Sequence, residues 1–413
     1  MAKRGPLVGL DVGTTKVCVV VAEPTEDGEV HIAGMGTSLS IGVRKGVVVD
    51  LDGTTRAIEE AVDKAERMAG VRISGAIVGV SGAHLASQNS RGVVAVSRAD
   101  REIGEPDVSR VVEAARMTAV PASDREIVHL VPRDFIVDGQ DGVKNPVGMY
   151  GSRLEVEAHI VTGASTLLAN LLKCVQRAGL ESEALVLEPL ASAEAVLSPA
   201  ERELGVAVVD IGGGTTSLGM FTGGGLCYTV VLPYGGNHVT NDIAVGLRTS
   251  FADAERLKVQ SGCAVPAMVS DAETIEVVNV GSREPRVMPA RMLSEIIEPR
   301  IAEIAGLVKA QLSRSRFAYR IPAGIVATGG TAGLRGLGDL FGERLGMAAR
   351  VGVPEIPGSV ADTVSSPAYA TSVGLVLHAA RQRRMGRGAR SLNGNGTVYG
   401  RVRQWLREFT LGV

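Results

Sequence analysis

One arrangement occurs twice in this chain, and it narrows the possible folds more than anything else in it. Val208-Val209-Asp210-Ile211-Gly212-Gly213-Gly214-Thr215-Thr216 reads as a buried strand ending in an aspartate, a turn of three glycines, and two hydroxyl side chains opening a second strand. Leu7-Val8-Gly9-Leu10-Asp11-Val12-Gly13-Thr14-Thr15-Lys16-Val17 follows the same plan. Glycine has no Cβ, so such turns let the backbone approach a polyphosphate and aim its N–H groups at the oxygens. Asp11 and Asp210, at the ends of stiff strands, are placed to hold a magnesium ion through its water shell, because magnesium gives up water reluctantly. Alone, either string also reads as a glycine turn in an ordinary tight hairpin. A third apolar run, Ile325-Val326-Ala327-Thr328, leads into Gly329, Gly330 and a helix start. Two such hairpins half a chain apart, with a later strand-Gly-Gly-helix, is how a duplicated fold would clamp one nucleotide between its halves. Gly13, Thr14, Thr15, Lys16, Gly212, Gly213, Gly214 and Thr215 are then the cradle.

Strands alternating with helices point to an α/β class. Strands are predicted at 31–36 and 73–80, and between them a helix over 55–69 that Gly70 ends. Ala57, Ile58, Ala61, Val62, Ala65 and Met68 line one side of that helix. From 84 to 162 the texture changes: runs at 92–96, 127–131 and 155–161 surround one helix, which Pro106 starts and Val108, Val111, Val112 and Ala115 make amphipathic. This reads as an insertion without a phosphate motif, either a structural lobe or a contact surface for partners or another copy.

A helix over 165–178 follows, then a strand ending at Leu187 and a small-residue helix, Glu188-Pro189-Leu190-Ala191-Ser192-Ala193, suited to close packing at a hinge. Glu188 is a candidate for orienting an attacking water; a salt bridge or an exposed position is the alternative. Gly235 and Gly236 make another turn, with Thr240 expected to cap the helix after it. Glu255 and Lys258, three residues apart on one helix face, suit two ribose hydroxyls or a plain surface ion pair. Helical periodicity is read from Arg286 to Gln311, bent at Pro299, and a last body helix over 369–380. Arg286, Arg291 and Arg300 are either a solvated face or a dock for an acidic peptide.

The chain has 413 residues, 45% of them hydrophobic, enough for two or more cores. A formal net charge of -2 gives no reason to expect nucleic acid as a main partner. That charge is uneven: eight arginines and one acid lie from Arg381 onward, leaving 35 basic and 44 acidic residues, or -9, in the body. Cys18, Cys174, Cys227 and Cys263 lie far apart in or beside apolar runs, which predicts buried thiols in a reducing cytoplasm. No apolar run approaches the ~20 residues of a membrane-spanning helix. Asp11 and Lys16 break the first apolar stretch, so it does not read as a signal peptide.

Residues 386–396 hold four glycines and no apolar periodicity; a flexible linker of that length spans roughly 20 Å r.m.s.. Beyond it Val398, Val402, Trp405, Leu406 and Phe409 recur at helical spacing, flanked by Arg401, Arg403 and Arg407. On an anionic lipid surface this helix would bury its apolar stripe, with each arginine worth about 1 kcal/mol at the headgroups. Docking on the body or on another protein is the alternative. One such helix binds membrane weakly, and several held together by self-assembly bind through avidity.

Taken together the motifs resemble the actin, Hsp70 and sugar-kinase ATPases, and within them the bacterial cell-division family FtsA, over essentially the whole chain. The superfamily strings are at 10–16, 187–193, 208–216 and 325–334; those closer to FtsA are at 144–163, 233–244, 254–264 and 296–300. The resemblance implies an actin-like two-domain ATPase fold with an inserted subdomain and a C-terminal amphipathic helix. Its expected divisions are subdomain 1A over 1–83, 163–193 and 359–385, inserted subdomain 1C over 84–162, and 2A over 194–235 and 306–358. Subdomain 2B covers 236–305, the linker 386–396 and the membrane helix 397–413. The resemblance further implies ATP and magnesium between the halves, with Glu255 and Lys258 at the ribose and Gly330 near the adenine; Asp11, Glu188 and Asp210 are the candidate catalytic residues there. It implies polymerisation on the cytoplasmic side of the cell membrane at the division site, and contacts with other division proteins through the insertion. It also implies binding of the C-terminal peptide of the tubulin homologue FtsZ near Arg286 and Arg300. A pilus-assembly protein or a small-molecule kinase is the alternative on the same fold.

Overall fold

Strand β1 (Leu7–Val12) is buried along its whole length, as a central strand covered on both faces must be. It pairs antiparallel with β2 (Lys16–Pro24), and β2 with β3 (Val30–Leu39). A ribbon of β4 (Val43–Arg44) and β5 (Val47–Val48) then leads into helix α1 (Leu51–Ala69). The helix begins four residues before the predicted start because the Asp50 side chain caps it, accepting from the Asp52 N–H at 3.0 Å. Gly70, at φ 68°, ends it as expected. Met68, expected on the core side, is 46% exposed, and its sulfur accepts from the Met35 N–H. Strand β6 (Gly75–Val80) adds parallel to β1. The structure, a computed structural model, describes residues 5–25, 29–119, 123–281, 284–356 and 361–384.

The insertion is a four-stranded antiparallel sheet in the order β7 (Ala86–Ala95), β10 (Arg153–Ala164), β8 (Arg125–Val137) and β9 (Gln140–Val143). One helix, α2 (Glu105–Thr118), covers it, and Val108, Val111, Val112 and Ala115 form a separate core with Phe135, Leu154 and Ile160. Chain continuity then returns to the first half through α3 (Ser165–Arg177), β11 (Glu181–Leu187), which lies parallel to β6, and α4 (Glu188–Val196).

After α5 (Pro199–Leu204) the same plan is built again. Strands β12 (Val206–Ile211), β13 (Thr216–Thr222) and β14 (Gly225–Leu232) form an antiparallel meander. Helices α6 (Gly236–Leu247) and α7 (Phe251–Ser261), the hairpin β15 (Thr274–Val278) and β16 (Pro285–Pro289), and the long α8 (Ala290–Arg314) make a lobe on one side. Strand β17 (Ile325–Thr328) joins β12 in parallel; α9 (Leu337–Leu345) and β18 (Ala349–Val351) follow. Short α10 (Ala361–Val364) and α11 (Ala370–Arg384) return the chain to the first half, where α11 packs on β1 and α4.

The two five-stranded sheets, β3-β2-β1-β6-β11 and β14-β13-β12-β17-β18, therefore share one topology, a three-strand meander extended by two parallel strands. Asp11 and Asp210 occupy the fifth place of six in their strands, opposite Cys18 and Ser217. All four cysteines are buried and free of disulfides. Arg286, read into a helix, lies on β16 instead, paired opposite Val277 in the hairpin, and α8 starts only after Pro289. The linker and tail helix expected over 386–413 fall outside the described residues.

Candidate functional site

Each repeated strand ends in the same turn. The Gly13 N–H donates to Lys16 O at 3.0 Å and the Gly212 N–H to Thr215 O at 2.9 Å. The turns face one another so closely that a Cβ on Gly213 would stand 2.3 Å from Thr15 Cγ2, and one on Gly214 2.6 Å from Thr14 Oγ1. The cradle residues of both halves are thus brought to one place. Helix α6 starts there too, because the Gly236 and Asn237 N–H groups donate to Gly212 O and Gly213 O at 2.9 and 2.7 Å. Thr240 consequently does not cap α6; it lies one turn inside it and donates back to Gly236 O.

Asp11 and Asp210 are both buried. Burial pushes the Asp11 carboxyl up to about 6, with Lys16 opposing and Asp210 adding to the rise. Burial raises Asp210 as well, against the hydrogen bonds it accepts from Ser192 and Thr371. Glu188, the first residue of α4, is raised well above the carboxylate range by burial and by the charges of both aspartates. Three carboxylates therefore crowd one small region, and their mutual repulsion favours a cation there. The Ser217 hydroxyl lies 3.5 Å from Glu188 Oε2 and 3.0 Å from the Ser81 hydroxyl. Lys16 donates to Ala368 O and lies 3.9 Å from the centre of the Tyr369 ring.

The third glycine turn closes the floor. Gly329 adopts φ 85°, and a Cβ there would stand 2.3 Å from Asp210 Oδ1. Gly330 is open, with Ala368 Cβ the nearest atom at 3.9 Å from its missing Cβ. Gly235 abuts Gly212 O and Gly213 O, and Thr331 donates to Gly212 O at 3.1 Å. Lys258 is buried, its ammonium bonded to Glu255 Oε2 at 2.7 Å, Thr240 Oγ1 at 2.8 Å and Gly236 O at 3.2 Å. The plain surface ion pair is excluded for it, and Glu255 and Lys258 stand behind the Gly235-Gly236 turn.

The residues present fit a polyphosphate with its cation. A Cβ at Gly213 or Gly214 would collide with Thr15 or Thr14 of the facing turn, so glycine is what lets the two turns meet, and Asn237 Oδ1, at the start of α6, is a buried acceptor with no hydrogen-bond partner among the described residues, suited to a cation's water and not to a phosphate oxygen. No three acidic, His or Cys side chains converge as direct metal ligands among the described residues.

Arg286 and Arg300 stand apart from this cleft, on the lobe of α6 and α8. Arg300 grips Asp242 with two bonds, at 2.6 and 3.1 Å, and also reaches Glu303. Arg286 is exposed and bonds Leu247 O at 3.4 Å. Sequence reasoning missed the roles of Ser192, Thr371, Ser217 and Ser81, because each is a small hydroxyl whose partner is distant in the chain.

Comparison with known proteins agrees with this layout. The family "Cell division protein FtsA" matches residues 207–374, and "SHS2 domain inserted in FTSA" matches residues 82–162. The cell division protein FtsA of Pseudomonas aeruginosa is 46% identical over 372 residues, covering 90% of this chain and 88% of that one. FtsA of Bacillus subtilis is 43% identical, covering 92% and 84%. FtsA of Escherichia coli K12 is 38% identical, covering 98% of both. Among solved structures, the PilM-PilN type IV pilus biogenesis complex superposes with TM-score 0.66 at 18% identity, covering 91% of this chain and 99% of that one. MreB5 of Spiroplasma citri bound to ADP gives 0.56 at 15%, covering 94% and 100%. The two-domain actin-like fold with an inserted SHS2 lobe, expected from sequence, is the fold found.

Proposed function

The chain belongs to the FtsA family of cell division proteins, and from that premise we propose that it is an ATP-binding adaptor that polymerises on the inner face of the cytoplasmic membrane and tethers FtsZ filaments there. The facing of the Asp11 and Asp210 hairpins carries this reading: two glycine turns from duplicated halves meet beside three crowded carboxylates. Solved relatives of the fold were captured with ADP and AMPPNP.

In this reading the backbone N–H groups of Thr14, Thr15, Gly213, Gly214 and Thr215, which the two turns leave unspent while the Gly13 and Gly212 N–H groups close them, cradle the phosphates, with Lys16 as a neighbouring charge. Asp11 and Asp210 hold a hydrated magnesium ion, which neutralises phosphate charge when bound. Glu188, whose carboxyl is pushed up by burial and by the charges of Asp11 and Asp210, is the residue assigned to orient a water. Glu255 and Lys258 meet the ribose, and Gly330 lies at the adenine. Residues 397–413 anchor the chain to anionic lipid. The exposed Arg286, together with Arg300, receives the acidic C-terminal peptide of FtsZ.

Asp210→Ala tests the cleft directly. Its affinity for ATP in magnesium, measured by equilibrium binding of a fluorescent analogue, is expected to fall at least about tenfold, or ~1.4 kcal/mol. Unchanged affinity would reject the nucleotide reading.

A further inference from the structure

The carboxylate of Asp210 is not treated evenly by its surroundings. Its Oδ2 accepts from the Ser192 hydroxyl at 2.6 Å and from the Thr371 hydroxyl at 3.0 Å, and those hydroxyls lie 2.9 Å from each other. Its Oδ1 has no hydrogen bond among the described residues and lies against the bare Cα of Gly329. Ser192 sits on α4 and Thr371 on α11, the two helices that carry the chain between the halves, and both are buried. We propose that Ser192 and Thr371 are positioning residues for the cleft: from the two crossover helices they pin Oδ2 of Asp210 and reserve Oδ1 for the hydrated cation.

The hydrogen-bond count supports this. Two hydroxyls have two protons for the three contacts in the cluster. Either both donate to Oδ2, or one hydroxyl donates to the other, which in turn donates to Oδ2. Loss of one hydroxyl leaves the other within reach of the same oxygen, whereas loss of both leaves a buried carboxylate free to turn. Because the donors lie on separate crossover helices, the orientation of Asp210 also follows the hinge. Cation-assisted binding is therefore linked to the relative placement of α4 and α11.

The inference rests on the ATP and magnesium reading above, and its test separates the two. ATP affinity would be measured with magnesium and with EDTA for the full chain, Ser192→Ala, Thr371→Val, the double variant, Thr371→Ser and Asp210→Ala, with thermal melting to verify folding. We expect the magnesium-to-EDTA affinity ratio to drop about tenfold in the double variant, by less than about twofold in either single, so that the double exceeds the two singles combined, and to stay at the parent value in Thr371→Ser. EDTA affinity should stay within about threefold of the parent. A double variant with the parent ratio, or one weakened equally with and without magnesium, overturns the positioning role. If the parent binds no nucleotide, or Asp210→Ala keeps the parent ratio, the underlying cleft reading fails instead.

Discussion

Gly329 shows how tightly single positions are constrained in the cleft. At φ 85° an L side chain is strained, and its Cβ would also stand 2.3 Å from Asp210 Oδ1 and 2.7 Å from Ile211 O. Both penalties fall on Gly329→Ala, which is expected to lose on the order of 2–4 kcal/mol of stability. A urea titration measures this, and a loss under about 0.5 kcal/mol would contradict the geometry. The glycine turns were legible in the sequence because their chemistry is local: an aspartate, a turn and two hydroxyls are contiguous. Ser192 and Thr371 were not, since they reach Asp210 across 18 and 161 residues. Thr240 misled for a related reason: the carbonyls of a distant hairpin took over the work of a helix cap.

At the level of elements, α4 and α11 pack backbone to backbone: a Cβ on Gly374 would stand 1.8 Å from Ala191 O. The small-residue pattern of α4 announced this closeness, but not the charge node beneath it. Glu194 on α4 accepts from Arg202 on α5 at 3.1 Å and from Arg381 on α11 at 3.0 Å. Burial opposes ionisation there, yet Arg202 and Arg381 hold the carboxyl down at about 2. The folded value is below the unfolded one, so this stabilisation is present above about pH 4.5 and is lost as pH falls toward 2. Its size is about 3 kcal/mol. Glu194→Gln is therefore expected to unfold about 2–3 kcal/mol more easily at pH 7, with the difference from the parent vanishing near pH 2. A pH-independent difference in denaturation midpoints would reject the ion-pair account.

For the molecule as a whole, duplication was legible because each half repeats its aspartate, turn and hydroxyl pair at matching strand positions. The insertion's composition marked it off as a separate lobe. Its docking was hidden, because the seam is made of ordinary polar residues on strands. Ser87 donates to Thr229 O at 2.6 Å, and the buried His159 bridges Asn89 at 2.8 Å and Thr229 at 3.2 Å, joining β7 and β10 to β14. Arg316 pairs with Glu157 and Lys144 with Glu203, both at 3.0 Å, across the same boundary. The membrane assignment also belongs to this scale. Deleting residues 397–413 is expected to abolish flotation with anionic liposomes while leaving the melting temperature within about 2 °C; full flotation of the truncated chain would remove the tail from the membrane.

The seam has a mechanical meaning. A lobe that grows out of one half and is stitched to the other acts as an outrigger, so parting the halves must shear those bonds or drag the lobe along. Whatever grips the outer face of that lobe thereby gains leverage over the cleft without touching it, and occupancy of the cleft must bias the grip by the same free energy in return.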